Sequence, residues 1–290
     1  MGIPAKGIAL LNHAMNVKQL LLLLLSLSTV ALQAQRKPRI KGNRNVIEVR
    51  ESLPDFRAVT LVDNLEITLQ GAAEPGYEIV ADDNLIDVLK FAVTSDTLYI
   101  SSFYTITGKK KLEIRVFYSE LEAITLKDGS LGMDEILSTP SLSVRTLGPS
   151  KLQLNARAPF IVMAMGEESS GDFNLDADTL ELRLADRADA RIYQVSQQLD
   201  LYMEHASDAL LDGSAALMKV ALHGNADLRA ERMEAQGIQA ALHDKAAAHL
   251  RATETIELTS TGAANTYLYG DPQISIREFK DQSGLHKRAD

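Results

Sequence analysis

From about Leu121 to Pro272 the chain repeats itself loosely, roughly every 19 residues. The later copies read LELRLADRADARI from Leu180, LDLYMEHASDALL from Leu199, VALHGNADLRA from Val220, ALHDKAAAHLRA from Ala241 and IELTSTGAANTYLYGDP from Ile256. Each is a short strand of alternating apolar residues, a turn of small and acidic residues, and a second apolar run. Leu180, Leu182 and Leu184, then Leu199, Leu201 and Met203, point to one side with period two, which is strand and not helix periodicity. A single such unit cannot bury its apolar row alone. Stacked at the inter-strand spacing of about 4.8 Å, successive units bury one another. The repeat therefore predicts an all-β chain whose main body is a parallel β-helix, or solenoid, with rungs of about 19 residues. Parallel crossovers favour a right-handed coil.

Composition fits that architecture and removes several functions. The chain has 290 residues, 46% of them hydrophobic, only 5% aromatic and none tryptophan. That suits a thin stack filled with Leu, Ile, Val and Ala. The net charge is −9, and loss of the N-terminal segment through Ala34, whose charged residues are Lys6 and Lys18, would take it to −11. Such a charge disfavours nucleic acid and anionic lipid as partners. With no cysteine there are no disulfides, no thiolate chemistry, no Cys-ligated metal and no N-terminal lipidation on Cys.

The N-terminus reads as an export signal. From Met15, taken as the initiator, MNVKQLLLLLLSLSTVALQAQ carries one Lys, an apolar stretch too short to span a bilayer, and small residues near Ala31 and Ala34. Residues 1–34 are expected as a signal peptide cleaved after Ala34, and 35–45 as a basic, solvated linker. Residues 46–120 are expected as a small β-rich head with one short helix near DDNLID, capped by Asp82 or Asp83. Within it, Phe56–Leu69 is read as two strands joined at Asp63-Asn64, and Thr105–Lys110 as a polar loop beside a Lys109–Lys111 cluster. The solenoid is expected over 121–279, with ISIREF as a closing strand, and 280–290 as a frayed, disordered tail.

FRAVTLVDNLEITLQG from Phe56, EIVADDNLID from Glu78, TLYIS from Thr97 and the ladder of turns together resemble a family of secreted bacterial proteins known as "putative auto-transporter adhesin, head GIN domain". The resemblance covers about residues 46–275. That family's turns commonly read Ser-Gly-Ser-Gly-Asp, of which SSGD at Ser169–Asp172 and TGAANTYLYGDP at Thr261–Pro272 remain. It implies an exported β-solenoid in the envelope of a Bacteroidetes-like bacterium. Where Ala or Asp replaces the family's corner glycines, as at Ala188 and Ala226, the turn is expected to use ordinary backbone geometry, or Asn and Asp in the left-handed region.

Two columns of side chains are candidates for chemistry. Asp172, Asp189, Asp208 and Asp227, followed by Ala247 and Asn265, recur at spacings of 17, 19, 19, 20 and 18. Stacked carboxylates could take a cation such as calcium. Asp side chains that accept backbone N–H groups in their own turns give the same pattern, and that reading is preferred. Four residues earlier, Glu204, His223, His243 and Thr261 could present two imidazoles and a carboxylate to zinc. Surface turn residues at a common register give the same pattern, and that reading is preferred; His249 reads as an ordinary surface residue. No nucleophile motif, phosphate loop or zinc-hydrolase signature is present, so neither catalysis nor a cofactor is expected.

Two functions remain. One is a surface or periplasmic binding module presenting a repetitive face to a glycan or protein. The other is an envelope scaffold whose head docks another exported protein. A ladder of aromatic or paired polar residues on one solenoid face favours the first; exposed apolar residues on the head favour the second. Tyr193, Tyr202, Tyr267 and Tyr269 are the tyrosines available to such a ladder. Open β-edges at the solenoid ends allow self-association, unless the head and Ile274–Phe279 cap them.

Overall fold

Two parallel ladders, called here face A and face B, run side by side, and each turn of the chain adds one strand to each. The computed structural model describes residues 37–289. The expected signal peptide and residues 35 and 36 lie outside the described residues. Face A begins its regular course with β10 (Ala123–Leu126), β12 (Ser141–Thr146) and β14 (Phe160–Met165). Face B does so with β11 (Ser130–Ser138) and β13 (Lys151–Arg157). The chain then runs without a break from one face to the other in β15 (Ser170–Leu184), β16 (Asp189–Met203), β17 (Asp208–Leu222), β18 (Asp227–Leu242) and β19 (Ala247–Ser260). Face A ends with β21 (Gln273–Phe279), and face B with β20 (Asn265–Tyr269) and β22 (Gly284–Lys287). On face A, Val162, Glu181, Asp200, Lys219, Gln239 and Glu257 are successive partners, so the rung length read from the sequence holds, with small adjustments. Alternation does the sorting. Leu180, Leu199, Met218, Ile238 and Ile256 form one inward column and are all buried, while the residues between them face out.

The segment 46–120 is β-rich with one short helix, as expected, but it is built onto the stack. Strands β3 (Ala58–Leu61) and β4 (Glu66–Gly71) pair in parallel with β10 and β11. On their other side they carry β7 (Thr97–Ser102) and β9 (Leu112–Tyr118), also in parallel. The order of these first rungs in space is therefore not their order along the chain. Antiparallel strands cover the end: β5 (Gly76–Asp82) pairs with β9, β2 (Val46–Ser52) with β5, and β6 (Leu89–Thr94) with β7. Strands β3 and β4 do meet at Asp63-Asn64, but as two faces of one rung and not as a hairpin. Asp63 Oδ2 instead accepts the Ser102 N–H at 2.8 Å.

Helix α1 (Asp83–Ile86) has Asp82 at its N-cap position, yet that side chain makes no cap hydrogen bond. The buried Asp82 carboxylate accepts backbone N–H groups from Lys110 at 3.0 Å, Arg44 at 3.2 Å and Lys111 at 3.3 Å. Burial raises its pKa, but these three donors outweigh burial and hold it below the usual carboxylate value. They also organise two stretches read from sequence as loop: β1 (Arg39–Lys41), inside the expected linker, pairs in parallel with β8 (Thr105–Gly108). The expected tail is likewise ordered through 287. Asn265 to Leu268 pair in parallel with Gly284 to Lys287, because KDQS at Lys280–Ser283 forms one more corner of the repeat. Among the described residues no helix is long and apolar enough to cross a membrane.

Candidate functional site

From residues 147–150 onward, each turn from face A to face B uses four residues with fixed tasks. The second is left-handed: Gly148, Glu167, Asp186, His205, Gly224, Asp244, Gly262 and Asp281 all have φ between 58° and 75°. The fourth is small, and buried at Ser150, Ser169, Ala188, Ser207, Ala226, Ala246 and Ala264, while Ser283 of the last turn is half-buried. Ala188 and Ala226, read from sequence as the sites of lost corner glycines, are therefore packing positions, and the strained position lies two residues earlier. Its acids are held by the rung before. Glu167 Oε2 accepts the Gly148 N–H at 2.8 Å, and Asp186 Oδ2 accepts the Glu167 N–H at 3.0 Å. Asp244 and Asp281 do the same for Gly224 and Gly262 at 3.0 Å. A side chain that bonds the neighbouring backbone offsets part of the cost of the left-handed region. His205 has no such bond, only its Nδ1 at 3.1 Å from Asp186 Oδ1 on the exposed edge. His205→Gly is accordingly expected to raise stability by about 1 kcal/mol. Asp244→Gly, which relieves strain but loses a hydrogen bond, is expected to change it little. Paired thermal melts check both.

The aspartate column is real over three rungs. Asp189, Asp208 and Asp227 are direct partners, followed by Ala247 and Asn265. Asp172 does not belong to it: Ser170 holds that register, and Asp172 lies two residues further along, opposite Arg191. The spacing of 17 was the sign of the slip. Burial, then the flanking Asp227 and Asp189 carboxylates, raise the pKa of Asp208, while Arg229 opposes them. The folded state thus favours protonated Asp208. Its contribution to stability is complete below the unfolded pKa and is lost as pH rises through the folded one.

Glu204, His223, His243 and Thr261 occupy one register, each N–H donating to the equivalent carbonyl of the preceding rung at 2.9–3.0 Å. Their geometry is that of a ring stack. The His223 and His243 rings lie 4.8 Å apart at 16°, and Tyr202 sits 5.5 Å from His223. His243 Nδ1 is engaged by Thr261 Oγ1 at 2.8 Å, and the Tyr202 hydroxyl donates to Glu204 Oε2 at 2.9 Å. That hydrogen bond, with burial and the Glu204 charge, raises the Tyr202 pKa. Among the described residues no group of three or more His, Asp or Glu side chains is placed to hold a metal ion. Rings stacked face to face do not aim their nitrogens at one point.

Beside this stack, face A is hollowed into a groove of about 480 Å³. Its floor holds Ala221 and Ala241, at positions where neighbouring rungs carry Arg183, Tyr202 and Thr259. One wall is a polar row that includes Asp200 paired with Lys219 at 3.7 Å, and Glu257 paired with Arg277. Face B bears a second ring ladder, which the sequence reading missed by treating His249 as an isolated surface residue. His249 stacks on Tyr267 at 4.4 Å and Tyr267 on His286 at 5.0 Å. The Arg288 guanidinium lies 4.8 Å from the Tyr267 ring centre. The signal was the recurrence of His249, Tyr267 and His286 at the rung length.

The fold is a parallel solenoid with a filled interior and outward side-chain ladders on two faces. The chain belongs to the family described as "Putative auto-transporter adhesin, head GIN domain", which matches residues 55–272. A crystal structure of a "putative adhesin" from Parabacteroides merdae is similar at 14% identity and a TM-score of 0.66, covering 87% of this chain and 99% of that one. A "putative lipid binding protein" from Parabacteroides distasonis is similar at 17% identity and a TM-score of 0.64, covering 86% and 99%. A second P. distasonis structure, also titled "putative adhesin", gives 13% and 0.65, covering 86% and 99%. At these identities the likeness is one of fold. No curated protein matches the chain.

Proposed function

We propose that the protein is an exported, non-catalytic recognition module of the cell envelope, binding a glycan or protein through the outward faces of its later rungs. The observation that carries this reading is the groove on face A. Small floor residues sit between a row of paired charges and the Tyr202–His223–His243 stack, all on rungs that rigid ladders hold in place. A concave site with a few convergent polar groups is the usual form of a binding surface. The family's adhesin description and the export signal read from residues 15–34 agree with it.

A second reading, an envelope scaffold docking another exported protein, draws on a different observation. Phe103 is 59% exposed, Tyr99 43% and Ile47 41%, all at the end of the stack formed by residues 46–120. Protease shaving of intact cells, with a periplasmic marker as control, separates the two. Loss of the protein while the marker survives is expected; protection until the outer membrane is opened would sink surface adhesion and favour the scaffold. On the same cells, Ala221→Arg with Ala241→Arg fills the groove. The double variant is expected to keep the melting temperature and to lower attachment by about tenfold, the equivalent of 1.4 kcal/mol. Unchanged attachment would remove the groove from the reading.

A further inference from the structure

The two ends of the stack are finished differently. At one end the antiparallel strands β2, β5 and β6 extend the first rungs. At the other, β21 has among the described residues a partner on one side only, β19. Its inward residues continue buried columns: Ile274 lies over Ile256, Ile276 over Leu258 and Phe279 over Ser260. The residues beneath are 0–1% exposed, whereas Ile274 is 44%, Ile276 51% and Phe279 41% exposed. Core-type side chains and a strand's free hydrogen-bonding edge are thus presented together, the combination that recruits another strand.

We propose that this edge pairs with the same edge of a second copy, antiparallel and about a two-fold axis normal to face A. Three features select that occupant. At the opposite end face A finishes in β6, where Leu89 is buried and Phe91 and Val93 are half-buried, so a head-to-tail contact would leave the exposed row of β21 unmatched and an isologous contact, which closes at two subunits, is favoured. The chain bulges at Arg277, the extra residue between the pairs Leu258–Ile276 and Thr259–Glu278. In the register that sets Ile276 opposite the second copy's Phe279, the bulge lets both side chains face the interior. The same register sets Arg277 opposite the second copy's Glu278, and Glu278 opposite its Arg277, on the outer side, so the edge is charge-complementary to itself. The seam belongs to face A alone. On face B the equivalent inward position is Lys287, over Leu268, with its ammonium group turned back to the Gly270 carbonyl and Asp271, a charge that guards the edge.

The axis has a consequence for recognition: it puts the face-A grooves of both copies on the same side of the assembly, as a bivalent surface. Arg277 belongs both to the seam and, through Glu257, to one end of the groove wall, but the groove is complete within one copy, so a monomer would leave the binding reading standing.

The test is light scattering coupled to size exclusion at about 5–100 µM of the chain from Gln35 onward, with charge-reversed variants. A dimer is expected for the wild type. Arg277→Glu and Glu278→Arg should each shift it to monomer by at least tenfold in Kd, and the double reversal should restore the dimer, with melting temperatures confirming that all variants fold. Because the chain has no cysteine, Ser275→Cys with Lys280→Cys reports the register directly. These positions oppose each other across the seam, and mild oxidation should give a covalent dimer. A wild-type monomer over the whole range overturns the proposal. So does a dimer indifferent to the reversals, or one that forms no crosslink.

Discussion

Gly213→Ala is expected to lower stability by about 3 kcal/mol, although it adds a single methyl group. Gly213 sits inside β17 with φ at 110°, a region that a residue with a Cβ rarely enters. A Cβ built there would lie 1.8 Å from the carbonyl oxygen of Gln194 in the adjacent rung, and backbone in a ladder cannot step aside cheaply. The conformation belongs to a local irregularity. The register between β17 and β18 shifts between Leu210 and Asp212, and the buried Gln194 side chain donates from Nε2 to the Ser214 carbonyl at 3.1 Å. Forcing the strand apart there breaks that hydrogen bond as well. Gly132→Ala is the control: nothing lies within 4 Å of its added Cβ, and the change is expected to stay within about 0.5 kcal/mol. Urea denaturation of the two variants measures the contrast. Equal midpoints would mean that β17 relaxes around the methyl group and that the strained φ constrains little.

How much of this was legible in the sequence depends on which interactions repeat. The inward columns were readable because each Leu, Ile or Met recurs at the rung length and alternates with polar neighbours. The corner was harder. Its left-handed position carries Gly, Glu, Asp or His, so the eye settles on the invariant small residue two places later, at Ala188 or Ala226, which is small for packing. Asp172 entered the wrong column because SSGD ends in an aspartate, as the later turns do, though Ser170 is the residue in register. The placement of the first rungs could not be read at all. β3 lies between β7 and β10, and both contacts join stretches far apart in the chain with no repeat to announce them. The tail was misjudged for the opposite reason. LHKR is polar, but a terminal rung needs few apolar residues when half its surface faces solvent. His249 was legible only with a second copy of its register in view, since Tyr267, of a different residue type, separates it from His286.

Leu222→Ala tests whether the stack behaves as a chain of coupled rungs. Leu222 is fully buried in the inward column between Met203 and Leu242. The rungs around it are rich in buried alanine, with Ala209, Ala215, Ala226, Ala230, Ala240, Ala246 and Ala248 all inside. The few large side chains there supply most of the apolar area, and two ladders at fixed spacing cannot collapse around a void. The substitution is therefore expected to cost about 3–4 kcal/mol, towards the upper part of the range for burying a Leu in a core that does not relax. The form of the loss is the more informative result. In a solenoid each rung touches only its neighbours, so a weakened rung should divide the molecule instead of lowering it uniformly. Hydrogen exchange is expected to show amides over residues 208–260 losing protection, while those of β10 to β14 keep theirs, and calorimetry should show a broadened transition. Uniform loss of protection from β3 to β21 would mean that the stack unfolds as one unit. Its stability would then come from long-range cooperativity that the repeat alone does not supply.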